Sequence, residues 1–231
     1  MDRKTIRLAF RVSLPVMAGY LFLGLGFGIL LQAKGYSFWW AILMSSTIYA
    51  GAMQYAAVDL LSSGASLIAT ALMTLMINAR HFFYGLSMLG RYQGMGKAKP
   101  YLIFSLTDET FSLLCSDDAV PKEHRRLYCV TLSLLNQCYW IIGGALGAIL
   151  GSVLHFNSTG IDFVMTALFV VIFVEQWTST KQHLPALLGV LLSAVCLVLF
   201  GPDGFVIPAM AAITLSLWLF RKKLESGVEA E

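Results

Sequence analysis

The sequence predicts an all-α integral membrane protein, a polytopic helical bundle of six to eight spans with broken or re-entrant helices. Of the 231 residues, 58% are hydrophobic and 13% are charged, whereas roughly 25% of an average soluble domain is charged. The mean hydropathy is +0.73, and apolar runs long enough to cross about 30 Å of hydrocarbon follow one another closely. Helices are expected because lipid offers backbone groups no other partner. We therefore expect one membrane domain covering residues 1–231.

The apolar runs define the candidate spans. A basic N-terminal arm, residues 1–13, precedes a run that is longer than the apolar core of a signal peptide and lacks a prompt cleavage motif, so we expect it to be retained as the first span. Residues 222–231 form a short C-terminal tail. The candidate segments are residues 14–31, 38–61, 66–89, 101–115, 127–154, 163–177, 184–200 and 205–220.

The placement of Lys and Arg predicts the orientation. Basic residues concentrate in the N-terminal arm, in the connectors 91–99 and 122–126, and at the C-terminal end; such residues favour the cytoplasmic side. All four clusters lie inside if the third segment turns back near residues 78–81 and the fourth stays on the same side or also re-enters, which is the favoured arrangement. If both segments cross fully, the connector 91–99 lies outside. Either arrangement predicts cytoplasmic N- and C-termini.

A faint internal repeat is visible. A glycine-rich helix around residues 24–28 is followed by an apolar helix that becomes polar at residues 49–54. A second glycine-rich helix, around residues 143–151, is followed by an apolar helix that ends at residues 175–177. Repeats with interrupted helices are typical of secondary transporters. The alternative is that the glycines only allow helices to pack closely, and both interpretations stay open.

Three polar clusters interrupt the apolar segments, and ionisable groups at membrane depth usually mark a transport route. In the first cluster, Gly51 stands between two alanines and lets the backbone unwind, while Tyr49 and Gln54 supply hydrogen-bonding groups. An unwound segment exposes helix N–H groups that suit a carboxylate ligand. The alternative is a packing seam of small residues.

The second cluster joins Asn78, Arg80 and His81 and is followed by Tyr84. Arg80 offers a planar, permanently charged fork that matches a carboxylate. His81 can exchange protons near neutral pH. The alternative is that Arg80 only marks the cytoplasmic end of a helix, since the basic connector begins soon afterwards.

The third cluster contains Thr107, Asp108 and Glu109. Adjacent carboxylates point to different faces of a helix, so one can pair with Arg80 and the other can bind an amine or carry a proton. Thr107 is also a candidate N-cap. Farther along, Glu175 is a second candidate proton or amine site or else an interfacial residue.

Other function classes find little support in the sequence. No basic stripe with interleaved aromatics is present, so nucleic acid is not an expected partner. No cofactor or metal is expected, because the chain has four His residues and no His-Glu-x-x-His or comparable spacing. An ion or proton channel and a membrane-embedded enzyme using His81 with Asp108 and Glu109 remain as alternatives to a transporter.

The three clusters together resemble the AzlC family, the large subunit of bacterial branched-chain amino acid exporters. The likeness lies in Tyr-Ala-Gly-Ala-x-Gln, then Arg-His-x-x-Tyr-Gly, then Leu-Thr-Asp-Glu-x-Phe, in this order and spacing. It extends over nearly the whole chain. The family's motif positions fall on Tyr49, Gly51, Gln54, Asn78, Arg80, His81, Tyr84, Thr107, Asp108 and Glu109.

The resemblance implies a multi-pass permease of the bacterial inner membrane that exports leucine, isoleucine, valine and similar apolar amino acids with a small AzlD-type membrane subunit. A transporter of another small carboxylate-bearing solute is the alternative within the transporter class. Combined with the clusters, it suggests a zwitterion bound where broken helices meet. Its carboxylate would lie on backbone N–H groups or Arg80, and its amine on Asp108 or Glu109. Its side chain would contact Met53, Phe82 and Leu106. Protons would enter through Glu109, Asp108 or His81.

Overall fold

The computed structural model consists of helices joined by turns and loops, without a strand among the residues that it describes. These are residues 2–115, 120–153, 166–167, 170, 173–174, 177–178 and 183–220. The chain divides into two compact units, Met1–Leu168 and Phe169–Glu231. The helices of the first unit are α1 (Asp2–Ala33), α2 (Phe38–Thr47), α3 (Gly51–Ser62), α4 (Leu67–Met88), a 3₁₀ turn (Gly96–Ala98), α5 (Lys99–Phe104), α6 (Asp108–Cys115) and α7 (Lys122–Val153). The second unit contains α8 (Leu184–Gly204) and α9 (Val206–Leu219).

Within the described residues, three helices are long and apolar enough to cross a membrane: Arg3–Ala33, Glu123–Val153 and Leu184–Gly201. They confirm the predicted all-α membrane fold. Helix α4 has sufficient length, but the polar cluster in its second half lowers its hydropathy. The total of six to eight spans stays a prediction.

Helices α1 and α7 pack closely through glycines. A Cβ atom at Gly24 would lie 2.9 Å from the Cα atom of Gly143, and one at Gly151 would lie 3.2 Å from the Cα atom of Ile29. Residues farther along α7 contact residues farther along α1, so the two helices run parallel. Small residues that let backbones approach stabilise such pairs in lipid. The glycines therefore perform the packing role expected under the alternative interpretation of the repeat.

Parallel packing brings the N-terminal ends of α1 and α7 together. Ala9 of α1 and Tyr128 of α7 belong to one buried hydrophobic cluster. The basic residues of the N-terminal arm and of the connector 122–126 therefore lie at the same end of the first unit, which we call the basic end. The opposite end is called the distal end.

Helices α2 and α3 form a re-entrant hairpin that begins and ends at the distal end. The chain enters α2 just after the C-terminal end of α1 and is interrupted at residues 48–50. Helix α3 then runs back: the Tyr55 hydroxyl donates to the Leu23 carbonyl oxygen at 2.6 Å, and Asp59 pairs with Lys34 at 3.6 Å. Because Lys34 follows α1 directly, α3 ends where α2 started.

Helix α4 runs from one end of the unit to the other, so the prediction that the chain reverses near residues 78–81 is wrong. It is one continuous helix of 22 residues, about 33 Å long at the standard rise. Met73 lines a groove with Asp59 at the distal end, whereas Met88 joins the cluster containing Ala9 at the basic end. Residues 78–81 include neither Gly nor Pro, the residues that most readily break a helix.

Helices α5 and α6 form a second hairpin, which begins and ends at the basic end, as the favoured arrangement expected for the fourth segment. Helix α5 ends at Phe104, the chain is non-helical at residues 105–107, and α6 leads back to Leu114 in the cluster with Ala9. Gly96, before α5, lies near Arg126 of α7; a Cβ atom there would be 3.9 Å from the guanidinium. The connector 91–99 therefore lies at the basic end with the other two clusters. That this end faces the cytoplasm stays a prediction.

A buried hydrophobic cluster fills the basic end. Burial raises the pKa of the Tyr92 hydroxyl above its ordinary value, as expected where the charged form loses hydration. Leu106 of the second hairpin belongs to the cluster, so the cluster reaches from the basic end to that hairpin. Its members are Ala9, Met88, Tyr92, Met95, Leu102, Leu106, Leu114, Val120, Tyr128, Cys129 and Leu132.

In the second unit, α8 and α9 pack against each other. Gly201 adopts a left-handed φ of 73° inside α8, a conformation that glycine accepts readily, and the regular helix ends there. Most of the predicted span 163–177, including Glu175, lies outside the described residues. The internal repeat and the single membrane domain therefore stay predictions.

Replacing Gly147 by alanine should destabilise the fold, because the new Cβ atom would lie 2.8 Å from the Cα atom of Leu25. Overpacking typically costs ~1–3 kcal/mol. Gly19→Ala is the matched control, since a Cβ atom there meets nothing within 4 Å. Thermal unfolding in detergent should give a lower midpoint for Gly147→Ala alone. Equal midpoints for the two variants would contradict the close packing of α1 and α7.

Single cysteines at Ser37 and Ser63 should react with an impermeant thiol reagent from the same side of the membrane, because the hairpin α2–α3 returns to its starting end. A cysteine at Gln93 should react only from the other side. All three positions are exposed. The background would lack the native cysteines, and intact cells would be compared with inverted vesicles. Labelling of positions 37 and 63 from opposite sides would show that α2 and α3 cross the membrane.

Candidate functional site

The breaks of the two hairpins meet inside the first unit. Tyr49, at the break between α2 and α3, is buried and has a φ of 40°. This left-handed conformation is rare for an aromatic residue and costs on the order of 1–3 kcal/mol. Its ring centroid lies 6.4 Å from that of Phe104, the last residue of α5. Strained backbone thus lies where two interrupted helices converge.

The first turn of α3 has no side-chain cap. Ala50, the residue before the helix, is extended and makes no capping hydrogen bond. The N-terminal N–H groups of a helix carry positive partial charge. Gly51 fits here because a Cβ atom would lie 3.0 Å from the Trp140 ring. The helix start is therefore held close to α7.

Gln54 anchors α3 from its first turn. Its side chain is fully buried; the amide oxygen accepts a hydrogen bond from the indole N–H of Trp140, and the amide nitrogen donates to Ser45 Oγ at 3.5 Å. Trp140 also meets the Tyr20 ring edge-on, with centroids 5.4 Å apart. Gln54 thus links α2, α3 and α7 at the break.

A chain of hydroxyls and one carboxylate lies on the other side of Tyr20. The Tyr20 hydroxyl donates to Glu109 Oε2 at 2.6 Å and lies 2.6 Å from Thr107 Oγ1. Thr107 Oγ1 is 3.0 Å from Thr110 Oγ1, which accepts from Asn136 Nδ2 at 3.0 Å. These bonds connect α1, α6 and α7.

Thr107 is the N-cap of α6, as one of its two interpretations predicted. Its Oγ1 atom accepts a hydrogen bond from the Thr110 backbone N–H at 3.3 Å, and Asp108 and Glu109 occupy the first turn. Carboxylates are favourable at that position. Capping and a functional role for the two acids are compatible, because only Thr107 is needed for the cap.

Arg80 of α4 pairs with Asp108 of α6, at 3.0 Å between Nη2 and Oδ2. The two side chains are 28% and 31% exposed, so the pair is only partly shielded. Tyr84, one turn after Arg80, stacks on Phe111 of α6 with centroids 4.5 Å apart. His81 meets the Tyr84 ring at 5.8 Å. Helix α4 is thereby joined to the second hairpin.

The assembled groups suit a small zwitterion. A guanidinium and an uncapped helix N-terminus can each hold a carboxylate, and two acids can each hold an ammonium group. Within the described ranges, no three His, Cys, Asp or Glu side chains are grouped so that they could bind a metal ion.

Most of the predicted site residues come together. Both hairpin breaks contribute, and α4 adds its polar face. Asn78, one turn before His81, has a buried amide oxygen without a hydrogen-bond partner among the described residues. The assembled residues are Tyr49, Gly51, Gln54, Arg80, His81, Tyr84, Asp108 and Glu109. Glu175 lies outside the described residues.

The expected contact of Phe82 with a substrate side chain is wrong. Phe82 is 72% exposed, because it lies about 200° around the helix from Arg80. Met53 and Leu106 are buried, and their contact with a substrate stays a prediction.

Sequence reasoning missed Tyr20, Trp140 and Thr110. Tyr20 and Trp140 stand in glycine-rich apolar segments, where an aromatic residue resembles a lipid-facing one. Their positions one turn before Gly24 and Gly144 are the available signal, since that spacing places them on the packed helix face. The side chain of Asn136 on α7 forms an interhelical hydrogen bond with Thr110 on α6.

The fold and site together define a class: an all-α membrane protein whose interrupted helices meet at a charged interior site. The family described as AzlC protein matches residues 15–154, a range that contains all three polar clusters. The chain belongs to the AzlC family.

The relatives agree with this assignment. Branched-chain amino acid transport protein AzlC of Bacillus subtilis is 46% identical over 96% of this chain and 87% of its own length. An uncharacterized membrane protein of Helicobacter pylori is 43% identical over 96% of this chain and 97% of its own length. Inner membrane protein YgaZ of Escherichia coli is 28% identical over 89% of each chain. No solved structure matches the chain.

Asp108→Asn should destabilise the protein more than the double variant Arg80→Gln, Asp108→Asn, because the single change leaves a half-buried guanidinium without its counter-charge. The coupling should be about 1–2 kcal/mol, between the values for exposed and buried pairs. The pair Lys34–Asp59, 34% and 56% exposed, is the control and should give a smaller coupling. Thermal unfolding of all single and double variants measures both coupling energies. Equal coupling energies would contradict the greater burial of Arg80 and Asp108.

Proposed function

We propose that this protein is a membrane permease that exports branched-chain and related apolar amino acids, coupled to protons and working with a small AzlD-type membrane subunit. The observation that carries the proposal is the meeting of two re-entrant hairpins at a site containing an uncapped helix start, the pair Arg80–Asp108 and Glu109. The relative in Bacillus subtilis, named a branched-chain amino acid transport protein, indicates the substrate class.

In this proposal the substrate carboxylate binds to the first turn of α3 or to Arg80, and its ammonium group binds to Asp108 or Glu109. Arg80 and Asp108 pair directly at 3.0 Å. A zwitterion can enter between them, since it offers each group an opposite charge in exchange. The buried Met53 side chain, next to the α3 start, supplies apolar surface for the substrate side chain.

Glu109 is the proposed proton carrier. Its side chain bonds to Tyr20 on α1, whereas Asp108 is occupied by Arg80. A carboxylate without a cationic partner can be neutralised by a proton at lower cost than one that is paired with arginine. Proton binding at Glu109 and substrate binding near Asp108 then involve neighbouring residues of the same helix turn, which provides a basis for coupling.

The export direction and the partner follow from the family resemblance and require a direct assay. Proteoliposomes loaded with labelled leucine would be assayed with and without an inward proton gradient, using this chain alone and with an AzlD-type subunit. Gradient-stimulated, saturable efflux that competes with isoleucine and valine supports the proposal. Non-saturable conductance without amino acid competition would support the channel alternative. Absence of leucine transport by folded protein in both preparations would overturn the proposal.

Glu109→Gln should abolish the stimulation of efflux by a proton gradient, because an amide cannot exchange a proton. Gradient-driven efflux should fall by about tenfold or more, ~1.4 kcal/mol in activation free energy. Glu123→Gln is the matched control, since Glu123 is exposed at the basic end and should keep the stimulation. Unchanged stimulation in a normally expressed Asp108→Asn, Glu109→Gln double variant would rule out both acids as coupling groups.

A further inference from the structure

A second polar feature lies at the distal end, away from the hairpin breaks. An open groove there has a volume of about 470 Å³, within the range of about 300–1,000 Å³ found for small-molecule pockets. It lies between the C-terminal ends of α1 and α3 and the first part of α4. Its lining residues are Lys34, Ala56, Asp59, Leu60, Ser62, Ser63 and Met73.

The groove carries one positive and one negative charge side by side. Lys34 Nζ lies 3.6 Å from Asp59 Oδ1, and their side chains are 34% and 56% exposed. Exposed ion pairs contribute little net stability, so ligand charges can replace the pair at low cost. A zwitterion would place its carboxylate on Lys34 and its ammonium group on Asp59. The C-terminal end of α3, where Asp59 lies, adds negative partial charge that favours the ammonium group.

One wall of the groove is apolar. Ala56, Leu60 and Met73 are partly buried and line the groove beside the charged pair. The hydroxyls of Ser62 and Ser63 are already bonded to backbone carbonyl oxygens of α3. The groove therefore combines a pair of opposite charges with aliphatic surface, which are the two features that an aliphatic amino acid presents.

Helix α3 also extends from the central site to the groove. Helix α3 starts at the hairpin break with Gly51 and carries Ala56, Asp59 and Leu60 toward the distal end. At the basic end, the cluster around Tyr92 and Tyr128 is buried. Of the two ends of the first unit, the distal end thus holds an open groove and the basic end holds packed hydrophobic side chains.

We propose that this groove is a second binding site for zwitterionic aliphatic amino acids, with Lys34 binding the carboxylate, Asp59 the ammonium group and Leu60 and Met73 the side chain. With the basic end in the cytoplasm, as predicted, the groove would receive the substrate after the central site during export. This assignment rests on the proposed amino acid substrate.

Equilibrium binding of labelled leucine to the full-length chain in lipid nanodiscs tests the assignment. The wild type should bind two leucine molecules per chain. Lys34→Gln, Asp59→Asn should bind one, with the remaining affinity unchanged, and Asp108→Asn should retain the distal molecule. Lys97→Gln, at the exposed basic end, is the charge control and should bind two.

The charge-swapped variant Lys34→Asp, Asp59→Lys separates binding from a purely structural ion pair. It restores the pair but reverses the direction in which a zwitterion can lie, turning the side chain away from Leu60 and Met73. Leucine at the distal site should bind about tenfold more weakly or worse, ~1.4 kcal/mol. Recovery of full affinity in this variant would overturn the assignment.

The remaining outcomes are distinguishable. One leucine molecule in the wild type and one of equal affinity in the Lys34→Gln, Asp59→Asn variant would overturn the second site and leave the proposed function intact. No leucine bound to folded wild-type protein would overturn the proposed substrate and, with it, the distal site.

Discussion

Hydrocarbon offers no hydrogen-bonding partner to an interrupted helix, so each break in a membrane-embedded chain must be satisfied by protein or water. The first unit meets this constraint by directing two breaks toward each other, with Tyr49 beside Phe104. The α6 start is closed by the Thr107 cap, whereas the α3 start has no side-chain cap. In the proposed function, the uncapped start of α3 is the helix N-terminus that can bind the substrate carboxylate.

The charged side chains of the site are subject to the same constraint. Arg80 and Asp108 come from separate elements, a continuous helix and a broken one, and each neutralises the other at 3.0 Å. Separating the partners of such a pair has a cost, so a replacement charge would favour any conformational change that separates α4 from α6. In the proposed function, a zwitterionic substrate carries both charges and can replace each partner of the pair. Substrate binding would then act directly on the contact between α4 and α6.

Both hairpins are supported by the frame of α1 and α7. The glycine contacts fix these helices at backbone distance, and Tyr20 and Trp140 project from them toward the breaks. Tyr20 reaches Glu109, and Trp140 reaches Gln54, so each hairpin is held by one aromatic residue of the frame. The buried cluster at the basic end closes the unit on the side where the second hairpin enters.

The sequence alone determined the membrane class, the helical elements and the three polar clusters, because composition and local motifs record what lipid tolerates. It also indicated two broken regions, but it placed one reversal in α4, since polar residues mark a site without specifying the backbone path. Helix α4 stays continuous through Asn78, Arg80 and His81, and the reversal occurs at Tyr49 instead. Tertiary structure decided which segments turn back, that Asp108 pairs with Arg80, and that Tyr20 donates a hydrogen bond to Glu109. These choices depend on contacts between residues that are 28 to 89 positions apart, and such contacts leave no local periodicity in the chain.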